Sequence, residues 1–168
     1  MSNLYIITGP AGVGKSTISK KIAESKKKSV LIEGDEIYKQ VVGGYVQAWK
    51  EGNHLDVFWK VCISSVKIYL ENGYDVVFNY IVTPMQLKQL QEEFKNYEIK
   101  FVLLLVNEET LLLRDKNRPE EFQMKERCII LLNSFKNNNY NNQNIIDTSN
   151  LTIDETAYII ENENRFIL

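Results

Sequence analysis

Apolar residues follow two rhythms along this chain of 168 residues, short unbroken runs and stripes at helical spacing, and the two alternate from end to end. Tyr5, Ile6 and Ile7 read as a buried strand, and Ile18, Ile22 and Ala23 form the core-facing stripe of the helix that follows. A lysine-rich turn at Lys26 to Lys28 precedes a short strand from Ser29 to Ile32 and a helix beginning near Asp35. Leu55, Phe58, Trp59, Cys62, Val66 and Tyr69 mark a longer helix from about His54 to Glu71, which Gly73 ends. Asp75 to Val82 is the third predicted strand. Thr83 and Pro84, an N-cap followed by proline at the first helical position, open a helix with Leu87, Leu90 and Phe94 on one face. The unbroken run from Ile99 to Val106 suits a strand covered on both sides. Helices follow over Glu108 to about Lys116 and Met124 to Lys136, then a last strand at Ile145 to Thr148. Thr152 to Glu155 is a capping box that opens the final helix. Five strands separated by helices imply an α/β fold, a parallel sheet with helices on both faces and its ligand beyond the carboxyl ends of the strands. The asparagine-rich tract from Asn137 to Asn144 has no apolar period and reads as a solvated loop.

Composition narrows the picture without changing it. The length suits one domain, residues 1–168, large enough to bury about two-thirds of its unfolded surface. The formal charge is −2, so no basic field is present to recruit nucleic acid, and phosphate recognition has to be local. No apolar run is long enough to span a bilayer, and the first residues lack the pattern of a signal peptide, so no membrane partner and a cytoplasmic location are expected. Cys62 and Cys128 each fall on an apolar helical stripe and are expected in the core.

Candidate chemistry is concentrated between the first strand and the first helix. Gly9, Pro10, Ala11, Gly12, Val13, Gly14, Lys15 and Ser16 form a complete G-x-x-x-x-G-K-S loop. Its glycines let backbone N–H groups wrap a polyphosphate. Lys15 is placed for the β- and γ-phosphates, Ser16 for Mg²⁺, and Thr17 stands just behind on the favourable end of the helix dipole. Glu33-Gly34-Asp35 follows an apolar strand and opens a helix, so Asp35 is expected at the same sheet edge. A carboxylate there can accept the proton of an acceptor hydroxyl or hold Mg²⁺ through water, with Glu33 as the next candidate.

On these residues, together with the arginine-bearing segment at 114–118 and Asp147-Thr148-Ser149 after the last strand, the chain resembles the small P-loop kinases of the shikimate and gluconate kinase and chloramphenicol phosphotransferase type. The resemblance implies a three-layer P-loop NTPase fold with strand order 2-3-1-4-5. It implies transfer of the γ-phosphoryl group of ATP, with Mg²⁺, to a hydroxyl of a small molecule by a monomer or homodimer. It also implies a short lid at about 114–123, from which Arg114 or Arg118 reaches the phosphates; Arg127 is a third candidate. Asp147 and Thr148 are expected beside the base of ATP.

One position departs from the common pattern. Many P-loop proteins carry an aspartate at the end of the third strand, where this chain has Asn79. That neutral residue lends support to a second reading, a nucleotide-binding regulatory or partner-binding module without turnover. A GTPase is disfavoured because no N-K-x-D motif is present; Asp115-Lys116-Asn117 has the wrong order. The acceptor is expected among Tyr38, Gly43, Gly44, Tyr45, Trp49 and His54, with His54 in a capping or solvent role and Phe58 and Trp59 in the core. Only lysines, and no arginine, occur between Asp35 and Ile81, which disfavours an acceptor bearing phosphate.

Overall fold

Alternate residues of the first strand enter opposite cores, and this division organises the molecule. In the computed structural model, which describes residues 2–48 and 50–168, β1 (Asn3–Thr8) sends Leu4 and Ile6 to one apolar layer and Tyr5 and Ile7 to the other. β2 (Ser29–Glu33), β3 (Asp75–Asn79), β4 (Glu98–Leu105) and β5 (Ile145–Asp147) complete a parallel sheet in the order β2-β3-β1-β4-β5. Helix α3 (His54–Glu71) covers the first layer with Phe58, Trp59, Cys62 and Val66, and α4 (Pro84–Glu93) adds Leu90. α1 (Lys15–Ser25) and α7 (Ile153–Asn162) cover the second with Ile18, Ile22, Ala157 and Ile160. With both faces buried, the strands read as continuous apolar runs. α5 (Glu108–Lys116) and α6 (Glu126–Asn137) add Leu111, Cys128 and Leu132 to the second layer, and α2 (Gly34–Lys39) adds Tyr38 to the first.

The N-cap expected at Thr83 and the capping box expected at Thr152 both form, and Thr83 also closes a capping box with Gln86. Cys62 and Cys128 lie in separate core layers, and burial pushes the Cys62 thiol up to about 12. Two elements differ from the sequence reading. β3 stops at Asn79 rather than Val82, because β1 ends at Thr8. Tyr80 still donates to Ile7 O, but Val82 N turns to the Thr8 hydroxyl. The asparagine tract is not simply a solvated loop. Asn144 is buried and donates to Phe101 O and Arg165 O, and the Tyr140 ring stacks on Phe101 and Phe135 while its hydroxyl donates to Val82 O. Among the described residues no helix is long and apolar enough to cross a membrane.

Candidate active site

The loop from Gly9 to Gly14 leaves β1 at the carboxyl edge of the sheet and enters α1 at Lys15. Gly9 has φ 144°, and a Cβ there would lie 2.4 Å from the carbonyl oxygen of Leu104 on β4, so no other residue fits this approach. Val13 is buried in the second layer and anchors the middle of the loop. The Lys15 ammonium folds over the loop and donates to Gly9 O and Pro10 O, each at 3.0 Å. Burial lowers its pKa to about 8; Asp35 opposes that shift and Arg118 adds to it. Ser16 and Thr17 stand exposed on the first turn of α1.

Strand register brings Glu33 and Asn79 side by side at the ends of β2 and β3. The Asn79 amide donates to Ser16 Oγ and to Glu33 Oε1, both at 3.2 Å, linking the loop serine to an acidic side chain one strand further out. Asp35 is exposed on the first turn of α2 and lines the same cavity as Lys15 and Ser16. Among the described residues no cluster of three or more His, Cys, Asp or Glu side chains suits a metal ion. The donor set of one hydroxyl, one amide and separated carboxylates fits Mg²⁺ that keeps its waters and shares phosphate oxygens, rather than a cation caged by protein.

Arg114 and Arg118 do not share a helix face, as their spacing suggests, because α5 ends at Lys116. Arg114 donates to Val13 O, Thr148 Oγ1 and Thr148 O, tying the phosphate loop to the turn after β5. Arg118 lies 3.5 Å from Asp115 and lines the phosphate-loop cavity. Asp115 is 3 % exposed and accepts the backbone N–H groups of Met124 and Lys125. Burial alone would raise its pKa, but those two N–H groups and Arg118 together hold it below the usual carboxylate range. This anchor holds Lys125 at φ 51°, unusual for a side chain with a Cβ. Gln123 closes the same segment by donating to Lys116 O and Arg118 O.

Three cavities meet around the loop. The first, ≈ 290 Å³, is polar and includes Gly12, Lys15, Ser16, Asp35, Asn79 and Arg118. The second, ≈ 500 Å³, lies between α1 and α7 and is walled by Val13, Ile18, Thr148, Leu151 and Thr156. Thr148 is part of it, whereas the Asp147 carboxylate is engaged by the N–H and hydroxyl of Ser149. The third, ≈ 350 Å³, shares Ala11, Lys15 and Asp35 with the first and continues over Leu55, Trp59, Tyr80, Gln86, Met124 and Leu131, with Arg127 also on its wall.

The residues expected to hold the acceptor form a different hollow. Tyr38, Gly44, Tyr45 and His54 line an apolar cavity of ≈ 320 Å³ that includes neither the phosphate loop nor Asp35. The reason is the direction of Tyr38, which packs edge-on against Phe58 and donates to Val46 O, folding the following segment over α2 and α3. Trp49 lies outside the described residues. Trp59, expected only in the core, is buried and also forms part of the third cavity's wall. Tyr80 and Gln86 escaped the sequence reading. Tyr80 follows the last residue of β3 at the ligand edge, the one signal that marks it, whereas Gln86 is legible only as a capping residue.

Fold and site together define a P-loop nucleotide-binding protein with the architecture of the small P-loop kinases. The chain belongs to the AAA domain family, whose model matches residues 4–129. Similar solved structures include a tunicamycin resistance protein from Deinococcus radiodurans, at 17 % identity and TM-score 0.66 over 95 % of this chain and 94 % of that one. A gluconokinase from Sinorhizobium meliloti 1021 aligns at 17 % identity and TM-score 0.65 over 94 % of this chain and 89 % of that one. A chain of the Pnkp1/Rnl/Hen1 RNA repair complex aligns at 20 % identity and TM-score 0.68, over 80 % of this chain but only 44 % of that one. At these identities the likeness is one of fold. No curated protein matches the chain.

Proposed function

We propose that the protein transfers the γ-phosphoryl group of ATP to a hydroxyl of a small molecule. The observation that carries this reading is the seam between two cavities: Ala11, Lys15 and Asp35 line both the polar phosphate-loop cavity and the apolar cavity beside it. A module that only bound nucleotide would have no use for a second compartment opening on the same lysine and carboxylate.

In this reading the loop N–H groups and Lys15 hold the polyphosphate, and the base lies against Val13, Thr148 and Leu151, with little to distinguish adenine strongly from guanine. Arg118 neutralises charge developing on the transferred group, because Arg114 is occupied in joining the loop to Thr148. Asp35 accepts the proton of the acceptor hydroxyl as its oxygen bonds the γ-phosphorus and the bond to the β–γ bridging oxygen breaks, releasing ADP. Bound Mg²⁺ would neutralise phosphate charge. Ser16 would hold it, with Asn79 and Glu33 as partners for its waters. The segment 114–123 serves as the lid, its base fastened by Asp115.

ADP release measured with a panel of small hydroxyl compounds tests the proposal. Acceptor-dependent release that requires Asp35 is expected. Tight ATP binding with no acceptor-dependent release anywhere in a broad panel would favour a regulatory module instead.

A further inference from the structure

The cavity beside Asp35 carries information about its occupant, because its wall is largely apolar and its polar side chains donate more than they accept. Asp35 supplies an accepting carboxylate. Gln86 looks ambivalent but is not, whereas Thr83 keeps one accepting lone pair. The Gln86 carbonyl oxygen already accepts from Thr83 N at 2.8 Å and Thr83 Oγ1 at 2.9 Å, and the Thr83 hydroxyl accepts from Gln86 N. Gln86 therefore has only its amide N–H groups left to offer. The Trp59 indole can only donate, and its Nε1–H is buried without a hydrogen-bond partner among the described residues. Burial and the charge of Asp35 keep the Tyr80 phenol protonated. Lys15 and Arg127 are cations.

The rest of the wall is apolar and includes two flat rings. Tyr80 and Trp59 meet with centroids 5.7 Å apart, and Phe58 packs against both, 4.6 Å from Tyr80 and 5.5 Å from Trp59. The Tyr80 ring lies directly on Gly34, where a Cβ would come within 2.4 Å of it, so the ring is locked one residue from Asp35.

We infer that this cavity takes an alcohol with one reactive hydroxyl on a flat apolar body whose remaining polar atoms are accepting oxygens, such as an aromatic hydroxy acid or hydroxy ketone, and not a polyhydroxylated sugar. A sugar would bring many hydroxyls to a wall made mostly of ring and aliphatic surface, leaving those that reach neither Asp35 nor Gln86 unpaired once desolvated. An aromatic hydroxy acid instead gives its hydroxyl to Asp35, its ring to Tyr80 and Trp59, and its carboxylate to the Gln86 amide. The inference rests on the phosphotransfer reading for the role of the hydroxyl, but its binding half can be tested alone.

The test follows the indole N–H resonance of Trp59 by NMR, assigned by its loss in Trp59→Phe, and in parallel ADP release with ATP. The probes are 3- and 4-(hydroxymethyl)benzoate and 4-(hydroxymethyl)acetophenone, set against gluconate and glycerol at roughly 10 mM, enough to fill even a millimolar site. At least one aromatic probe is expected to shift the resonance and the polyols are not. Gln86→Glu keeps the capping chemistry that Glu155 performs in α7 but exchanges donors for acceptors, and it should weaken the carboxylate probes at least roughly tenfold. A polyol that shifts Trp59 more strongly than every aromatic probe, or silence from all probes, overturns the inference. An aromatic probe that binds, while neither it nor any compound of the broad hydroxyl panel is phosphorylated, leaves the inference standing and removes the phosphotransfer reading.

Discussion

The two compartments that share Lys15 and Asp35 are built in opposite ways. The phosphate-loop cavity is made mostly by one continuous stretch, Ala11 to Thr17, and its shape is set by backbone conformation. The neighbouring cavity draws on residues from Ala11 to Leu131, scattered over the phosphate loop, α2, α3, the turn after β3, α4 and α6, and its shape is set by side-chain packing. A loop defined by backbone tolerates little change at its glycines and is common to many proteins. A wall of packed side chains can be rebuilt one residue at a time, so selectivity is expected to reside there.

The largest effect should come from the shared lysine. Lys15→Ala is expected to lower turnover by roughly a thousandfold, the upper range for removing one group that stabilises transition-state charge. Circular dichroism should remain that of the parent, since the Lys15 ammonium bonds only loop carbonyls and is not part of the core. A parent-like rate would undo the distinction between the two compartments.

Asp35→Asn comes next. The amide keeps the shape and helix-capping ability of the carboxylate but not its charge, so turnover should fall at least roughly a hundredfold while ATP affinity, read by calorimetry, changes far less. Loss of ATP binding of similar size would move Asp35 from the seam wholly to the nucleotide side, and an unchanged rate would shift the role to Glu33.

The titration of Lys15 sharpens the same comparison. The protonated ammonium is the form that attracts phosphate, and a bound polyphosphate raises its pKa again from about 8. Binding then takes up a proton, and ATP affinity should fall by up to roughly tenfold per pH unit above that value. Calorimetry at about pH 9 in two buffers of different ionisation enthalpy would detect the uptake. Below about pH 7 the effect should vanish, because the free lysine is already protonated.

Gly34→Ala addresses the other compartment and should disturb catalysis least. The added methyl group must displace the Tyr80 ring, at an expected cost of about 1–3 kcal/mol in unfolding free energy. The acceptor KM should rise several-fold with ATP affinity unchanged, since no phosphate-loop atom is among the nearest neighbours of that Cβ. A change confined to ATP binding would show that Tyr80 belongs to the nucleotide side.

Local sequence determined the order of elements, the two-sided burial of the sheet, the capping boxes at Thr83 and Thr152, and the backbone cradle at Gly9 to Thr17. Each of these follows from interactions within a few residues or from a periodicity that one segment carries by itself. Tertiary structure decided what no segment contains. It paired Asn79 with both Ser16 and Glu33 across two strand ends, tied Arg114 to Thr148 while both Arg114 and Arg118 line the phosphate-loop cavity, and buried Asp115 under the backbone of Met124 and Lys125. It also sent Tyr38 away from the phosphate-loop edge and brought Trp59, Tyr80 and Gln86 to the cavity beside it. Such placements depend on where a helix stops and which neighbour a ring meets, and both are settled only when elements distant in the chain pack together, so the cradle is legible in the sequence and the wall of the neighbouring cavity is not.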